Sequence, residues 1–178
     1  MGNSSNISRA SRRLRLVFTA VFFLIPIINA LVWIFVNEMP DEMQKNILPH
    51  YARLPLPAEA RLLGFIIVMI PSGIAMYGNW VLIRLFRLYE MGQIFSDLNV
   101  RCFRDISRIL MVWCAAVFLT SPLLSIALTL HHPPGQRLLV IGLRSMDITA
   151  LLVGFVLAVI AWVMEEGRKL QEEQDLTI

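Results

Sequence analysis

Charge is missing from four long stretches of this chain, residues 16–36, 62–83, 109–130 and 148–164. A water-soluble domain breaks its apolar segments with polar residues at helical or strand spacing, so four uninterrupted runs exclude an ordinary soluble fold. Only 16% of the 178 residues are charged and 57% are hydrophobic, with a mean hydropathy of +0.65. An ionisable side chain inside hydrocarbon marks an ion path or proton relay. None of the runs has one, which argues against coupled transport and pumping. Cysteine is scarce too. Cys102 and Cys114 form neither a CxxC pair nor a zinc clip and read as small buried thiols. His50, His131 and His132 have no Cys, Asp or Glu at metal-ligand spacing. GxSxG, HExxH, P-loop and GxGxxG motifs are all absent. The expectation is a protein that is not an enzyme, with no catalytic residue, metal or cofactor.

What the chain has is length in the right places. Each charge-free run has about 17–22 residues, enough for a helix to cross a hydrocarbon layer about 30 Å thick at roughly 1.5 Å per residue. The sequence predicts an all-α integral membrane protein with four transmembrane helices in one bundle, and residues 1–178 form a single domain. Residues 1–11 read as a flexible N-terminal tail, and 165–178 as a C-terminal helix extension in the cytoplasm. The first run is too long for the 7–15-residue core of a cleaved signal, roughly speaking, and reads as a retained span.

Eleven of the sixteen basic residues flank the spans on one side: Arg9, Arg12, Arg13 and Arg15; Arg84, Arg87, Arg101, Arg104 and Arg108; Arg168 and Lys169. The positive-inside rule puts both termini and the joint between spans 2 and 3 in the cytoplasm. This placement, against anionic headgroups, also accounts for the pI near 9.2 without direct nucleic-acid binding.

Within the spans, Pro26 and Asn29 lie three apart, and Asn29 is expected to face a neighbouring helix. Pro71-Ser72-Gly73 and Gly78-Asn79 make span 2 the least regular. Pro40, Pro49, Pro55 and Pro57 forbid a long helix in the first outer loop. In the joint, Gly92 suits a left-handed helix end and Ser96 an N-cap. Leu98, Cys102, Phe103, Ile106, Ile109 and Leu110 then recur at helical spacing opposite Arg101, Arg104, Asp105 and Arg108. This amphipathic extension can lie along the headgroups or prolong span 3. Residues 138–143 read as an extended stretch able to form a short outer β-ribbon with the first loop. Ser145 is expected to cap the fourth span, with Asp147 in its first turn. Ala150, Gly154 and Ala158 form a small-residue stripe for close helix packing, within the monomer or across a homo-oligomer.

Leu85-Phe86-Arg87-Leu88-Tyr89-Glu90, Gly92-Gln93-Ile94-Phe95-Ser96, Asn99-Val100-Arg101, Pro134-Gly135-Gln136-Arg137 and the ending Asp175-Leu176-Thr177-Ile178 resemble a large bacterial family of small four-span inner-membrane proteins of unknown function. Members often lie beside a gene for a small helix-turn-helix regulator. The resemblance implies an inner-membrane protein that senses a signal or holds a regulator. The family supplies no catalytic residues to carry over.

Three readings follow. A membrane regulator or interaction protein would meet a cytosolic partner at Arg101, Arg104 and Arg108, together with the acidic tail. A small permease or channel subunit would line a polar path with Asn29, Ser72, Asn79, Ser121 and Ser125. A structural subunit of a larger membrane complex would be held by Ala150, Gly154 and Ala158.

Overall fold

The computed structural model describes residues 2–93, 96–133, 135–142 and 144–175. Ile94, Phe95, Pro134 and Leu143, and the ending Leu176-Thr177-Ile178, lie outside the described residues. Among the described residues five helices follow one another: α1 Gly2–Phe35, α2 Asp41–Ile47, α3 Ala58–Glu90, α4 Asp97–Thr129 and α5 Ser145–Asp175. Four of them, all but α2, are long and apolar enough to cross a membrane. The 33 residues of α3 and of α4 give each a length of about 50 Å, well beyond a hydrocarbon core of about 30 Å. Whole turns therefore project past the apolar zone.

The long helices pack as a row in chain order. Among the described residues α1 approaches α3, α3 approaches α4 and α4 approaches α5, and the outer members α1 and α5 do not meet. The expected bundle is thus an open row. Its flanks are apolar and exposed, with Leu119, Leu152 and Trp162 at 60–67% exposure. Hydrocarbon solvates such flanks, whereas water does not.

The two ends are built differently. At the loop end Trp33, Val36, Leu48, Leu56, Ala60 and Leu128 form a buried cluster roofed by Tyr51 and Ala52. Burial of a side chain such as Leu56 from water is favourable by about 1.5–3 kcal/mol. Asn37 fixes this roof with two bonds to Leu56, Nδ2 donating to its carbonyl at 2.9 Å and Oδ1 accepting from its N–H at 2.8 Å. The buried Gln44 of α2 donates to the carbonyls of Val36 and Met39, in the turn that follows α1. Burial pushes the Tyr51 phenol above its ordinary value, and the Arg144 cation partly opposes this.

At the other end lie the start of α1, the end of α3, the start of α4 and the end of α5. Val81, Leu85 and Leu88 of α3 pack on Cys102, Ile106 and Ile109 of α4. The amphipathic stretch predicted for the joint is therefore the first turns of α4, continuous with the span and buried on α3.

Several expectations need correction. Residues 2–11 are helical, the first turns of α1, and Ser11 is buried; the polar tail continues the span's backbone hydrogen bonding. No strand forms among the described residues, and the expected ribbon is absent. Its segment finds other partners: Val140 N–H donates to Ser125 Oγ at 3.0 Å and Leu138 N–H to Thr129 Oγ1 at 3.3 Å. Ser96 sits at the N-cap of α4 without a capping bond, and its hydroxyl is buried without a partner. At α5 the cap belongs to Asp147, whose Oδ2 accepts from the Arg144 N–H at 2.7 Å while its own N–H donates to the Arg144 carbonyl. Gly92 behaves as expected. At φ +75° it lets Gln93 N–H reach the Leu88 carbonyl and its own N–H reach that of Tyr89, the paired bonds of a Schellman end.

Candidate functional site

The arginine-rich end brings together the most chemically capable side chains. Two ion pairs tie its helices. Arg15 Nε lies 3.0 Å from Glu90 Oε1 and joins α1 to α3. Arg104 pairs with Glu165 and joins α4 to α5. Both pairs are partly exposed, so each is worth at most about 1 kcal/mol. They set the register of neighbouring helices more than they set stability. Ser8 adds a hydroxyl bond to the Glu90 carbonyl. Asn99, fully buried, donates through its amide to the Gln93 carbonyl and holds the joint onto α4.

Around these ties sit cations with no ion pair or hydrogen bond among the described residues. Arg12 and Arg13 on α1, Arg84 and Arg87 on α3, and Arg101 and Arg108 on α4 are all exposed. They form a cationic rim on rigid helices. Of the three arginines expected to meet a partner, Arg101 and Arg108 are therefore open, whereas Arg104 is occupied by Glu165.

A groove of about 580 Å³ opens between α3 and α4 beside this rim. Ile70, Gly73, Ile74 and Tyr77 form its α3 wall, a stripe at helical spacing. Asp105, Arg108, Ile109 and Val112 form its α4 wall. The helices are antiparallel, and Gly78 lies level with Ile109, since a Cβ there would come within 3.1 Å of Ile109 Cγ2. Asp105 and Arg108 thus stand at the rim end of the groove, and Ile70, Gly73 and Val112 extend it into the apolar zone. Tyr77 and Trp80 stack beside the mouth with ring centroids 5.9 Å apart. Gly73 has nothing within 4 Å of where a Cβ would stand, so its missing side chain leaves part of the groove's width open. Sequence reasoning singled out Arg108, but the groove itself emerges only when α3 and α4 pair.

The intramembrane polar residues are spread over separate places. Asn29 donates to the Ile25 carbonyl at 3.0 Å and to Ser72 Oγ at 3.3 Å, a cross-helix tie between α1 and α3. Asn79, buried, donates to the Phe18 carbonyl at 2.7 Å nearer the arginine-rich end. Ser125, fully buried in α4, donates to the Pro122 carbonyl and accepts from Val140 at the loop end. Ser121 is half-buried in α4 next to Pro122 and shares no hydrogen bond with the others. These five side chains bond locally and do not gather along one path. The small-residue stripe packs within the chain. A Cβ on Gly154 would meet Leu110 Cβ at 3.2 Å and the Ser107 carbonyl at 3.4 Å, so α5 uses this face against α4. Ala150 and Ala158 are half-buried on the same stripe. No group of three or more His, Cys, Asp or Glu among the described residues is arranged to hold a metal ion.

A family of proteins of unknown function, DUF2975, matches residues 26–178. The chain belongs to the DUF2975 family. The match takes in the groove, the joint and both partners of the Arg104–Glu165 pair, and leaves Arg12, Arg13 and Arg15 outside. No curated protein and no solved structure matches the chain.

Proposed function

We propose that this DUF2975 member is a multi-pass protein of the bacterial inner membrane, with both termini and the arginine-rich end in the cytoplasm. It acts there without enzymatic activity, as a regulatory protein that docks an acidic cytosolic partner. One observation carries the reading. The cations of α1, α3 and α4 converge on one end, and six of them are left without an ion pair among the described residues. Cations held on rigid helices lose little freedom on meeting carboxylates, and they steer association by long-range attraction.

The reading has a direct test. A photo-crosslinker at the exposed Met91, which follows the end of α3, is used in native membranes, with R84E/R87E/R101E as the comparison. The wild-type chain yields a discrete adduct with a cytosolic protein. Charge reversal, or salt near 1 M where the Debye length is about 3 Å, removes it. An adduct of equal yield in the reversed variant, or none with the wild type, overturns the proposal.

A further inference from the structure

The α3–α4 groove is amphipathic along its length. About seven residues separate Ile70 from Tyr77, and as many separate Asp105 from Val112, so each wall runs roughly 10 Å along the helix axis. The deep part is hydrocarbon: Ile70, Ile74 and Val112, with Gly73 leaving room. The mouth presents one carboxylate and one guanidinium, Asp105 and Arg108, three apart on one helix face. They make no ion pair with each other, so each keeps its charge available. Tyr77 and Trp80 stand half-exposed at the same level. Stacked Trp and Tyr at the end of an apolar band mark the headgroup depth of a bilayer. The volume falls within the roughly 300–1,000 Å³ of small-ligand pockets.

An occupant must therefore carry an apolar chain, reach it from the lipid side, and present an anion and a cation a few ångströms apart at headgroup depth. The geometry points to a phospholipid with a phosphoethanolamine head. Its phosphate meets the Arg108 guanidinium, its primary ammonium meets the Asp105 carboxylate, and one acyl chain lies over Gly73 between Ile70, Ile74 and Val112. A phosphatidylglycerol head offers the Asp105 carboxylate only neutral hydroxyls, with no cation to pair with it. A quaternary ammonium has no N–H to donate to the carboxylate. The groove thus selects both charge and donor capacity. This inference rests on the membrane placement above and is independent of the cytosolic partner. A chain absent from the membrane fraction would defeat both readings, whereas equal retention of all lipids by a membrane-inserted chain would defeat this one alone.

The test is native mass spectrometry of the full chain purified from mixed micelles. The micelles hold equal amounts of palmitoyl-oleoyl phosphatidylethanolamine, phosphatidylglycerol and phosphatidylcholine. The wild type is expected to retain the ethanolamine lipid about tenfold over the other two, the factor that one charge-assisted hydrogen bond supplies. In D105N that preference over phosphatidylglycerol collapses to parity, while R108Q lowers retention of both phosphate-bearing competitors and the ethanolamine lipid together. G73L fills the deep part and reduces all three, and its unchanged elution volume guards against misfolding. Equal retention of the three lipids by the wild type, or a D105N variant with its preference intact, overturns the inference.

Discussion

Trp33 of α1 packs directly on Gly64 of α3, and replacing Gly64 with Ala isolates this contact. A Cβ built on Gly64 would lie 2.1, 2.2 and 2.8 Å from three atoms of the Trp33 six-membered ring. The indole is rigid and only 7% exposed, enclosed by Val36, Leu56, Ala60 and Leu128. It must retreat by more than an ångström into neighbours that are themselves packed. Overpacking of this kind costs about 1–3 kcal/mol, and three ring atoms in simultaneous conflict place G64A near the top of that range. Ala is the better helix former by about 0.5–1 kcal/mol, which offsets part of the loss. The clash wins by about 2 kcal/mol, or roughly 4–8 °C in melting temperature for a chain of this size. The assay is a double-mutant cycle read by thermal unfolding in detergent, comparing wild type, G64A, W33L and the double variant. In the W33L background the ring is gone, so G64A should be neutral or mildly stabilising. The same 2 kcal/mol penalty in both backgrounds, or no penalty in the wild type, would refute the assignment of this contact as the clamp between α1 and α3.

Two further outcomes follow from single hydrogen bonds. Asn79→Leu removes the amide donated to the Phe18 carbonyl at 2.7 Å. Bonds of this kind in membranes average about 0.6 kcal/mol, so N79L should lower the melting temperature slightly and leave solute flux into reconstituted vesicles at the background of empty vesicles. Flux in the wild type that N79L reduces would restore the permease reading. Asp147→Ala deletes the carboxylate that accepts from Arg144 N–H at 2.7 Å, and should cost about 0.5–2 kcal/mol as a lost helix cap. Ser145→Ala should cost far less, because the Ser145 hydroxyl makes no capping bond. Equal effects of the two variants, measured by thermal unfolding, would contradict the cap at Asp147.

Much of the architecture was legible because membrane spans are written in composition. Leu62 to Ile83 without a charge needs no tertiary information to be a span, and Gly92 announces a left-handed helix end by residue type alone. The failures share a different character. The tail was read as flexible from its serines and asparagines, yet a helix already nucleated at Leu14–Leu16 extends into polar sequence at little cost because the nucleus is in place. Residues 138–142 have strand composition, and two buried hydroxyls of α4, Ser125 and Thr129, took the N–H groups of Val140 and Leu138 instead. Ser145 and Asp147 both carry capping chemistry, and only backbone geometry decides which side chain reaches the open N–H. The groove was out of reach for the same reason. Ile70, Gly73, Ile74 and Tyr77 look like any apolar stripe until α4 brings Asp105 and Arg108 to its edge. The Ala60-to-Gly64 spacing was the one available signal for the Trp33 clamp, as small residues four apart invite a close helix contact.

The open row gives these separate features a common logic. In a closed bundle each helix has two neighbours, and losing one contact leaves the other. Here, among the described residues, α1 packs along one long helix, α3, and α5 along one, α4, so each edge helix depends on a few ties to a single long neighbour. For α1 these are Trp33 on Gly64 at the loop end, Asn29 with Ser72 and Asn79 with Phe18 along the span, and Arg15 with Glu90 at the arginine-rich end. For α5 they are the Asp147 cap, Gly154 on Leu110, and Arg104 with Glu165. The ties at the arginine-rich end are partly exposed ion pairs worth little energy, and they stand among the six arginines that form no ion pair among the described residues. An acidic surface arriving there competes with Glu90 and Glu165 for Arg15 and Arg104. The binding energy of a partner docked as proposed would act on these exposed joints of α1 and α5, and so would couple docking at the rim to the spacing of the helices.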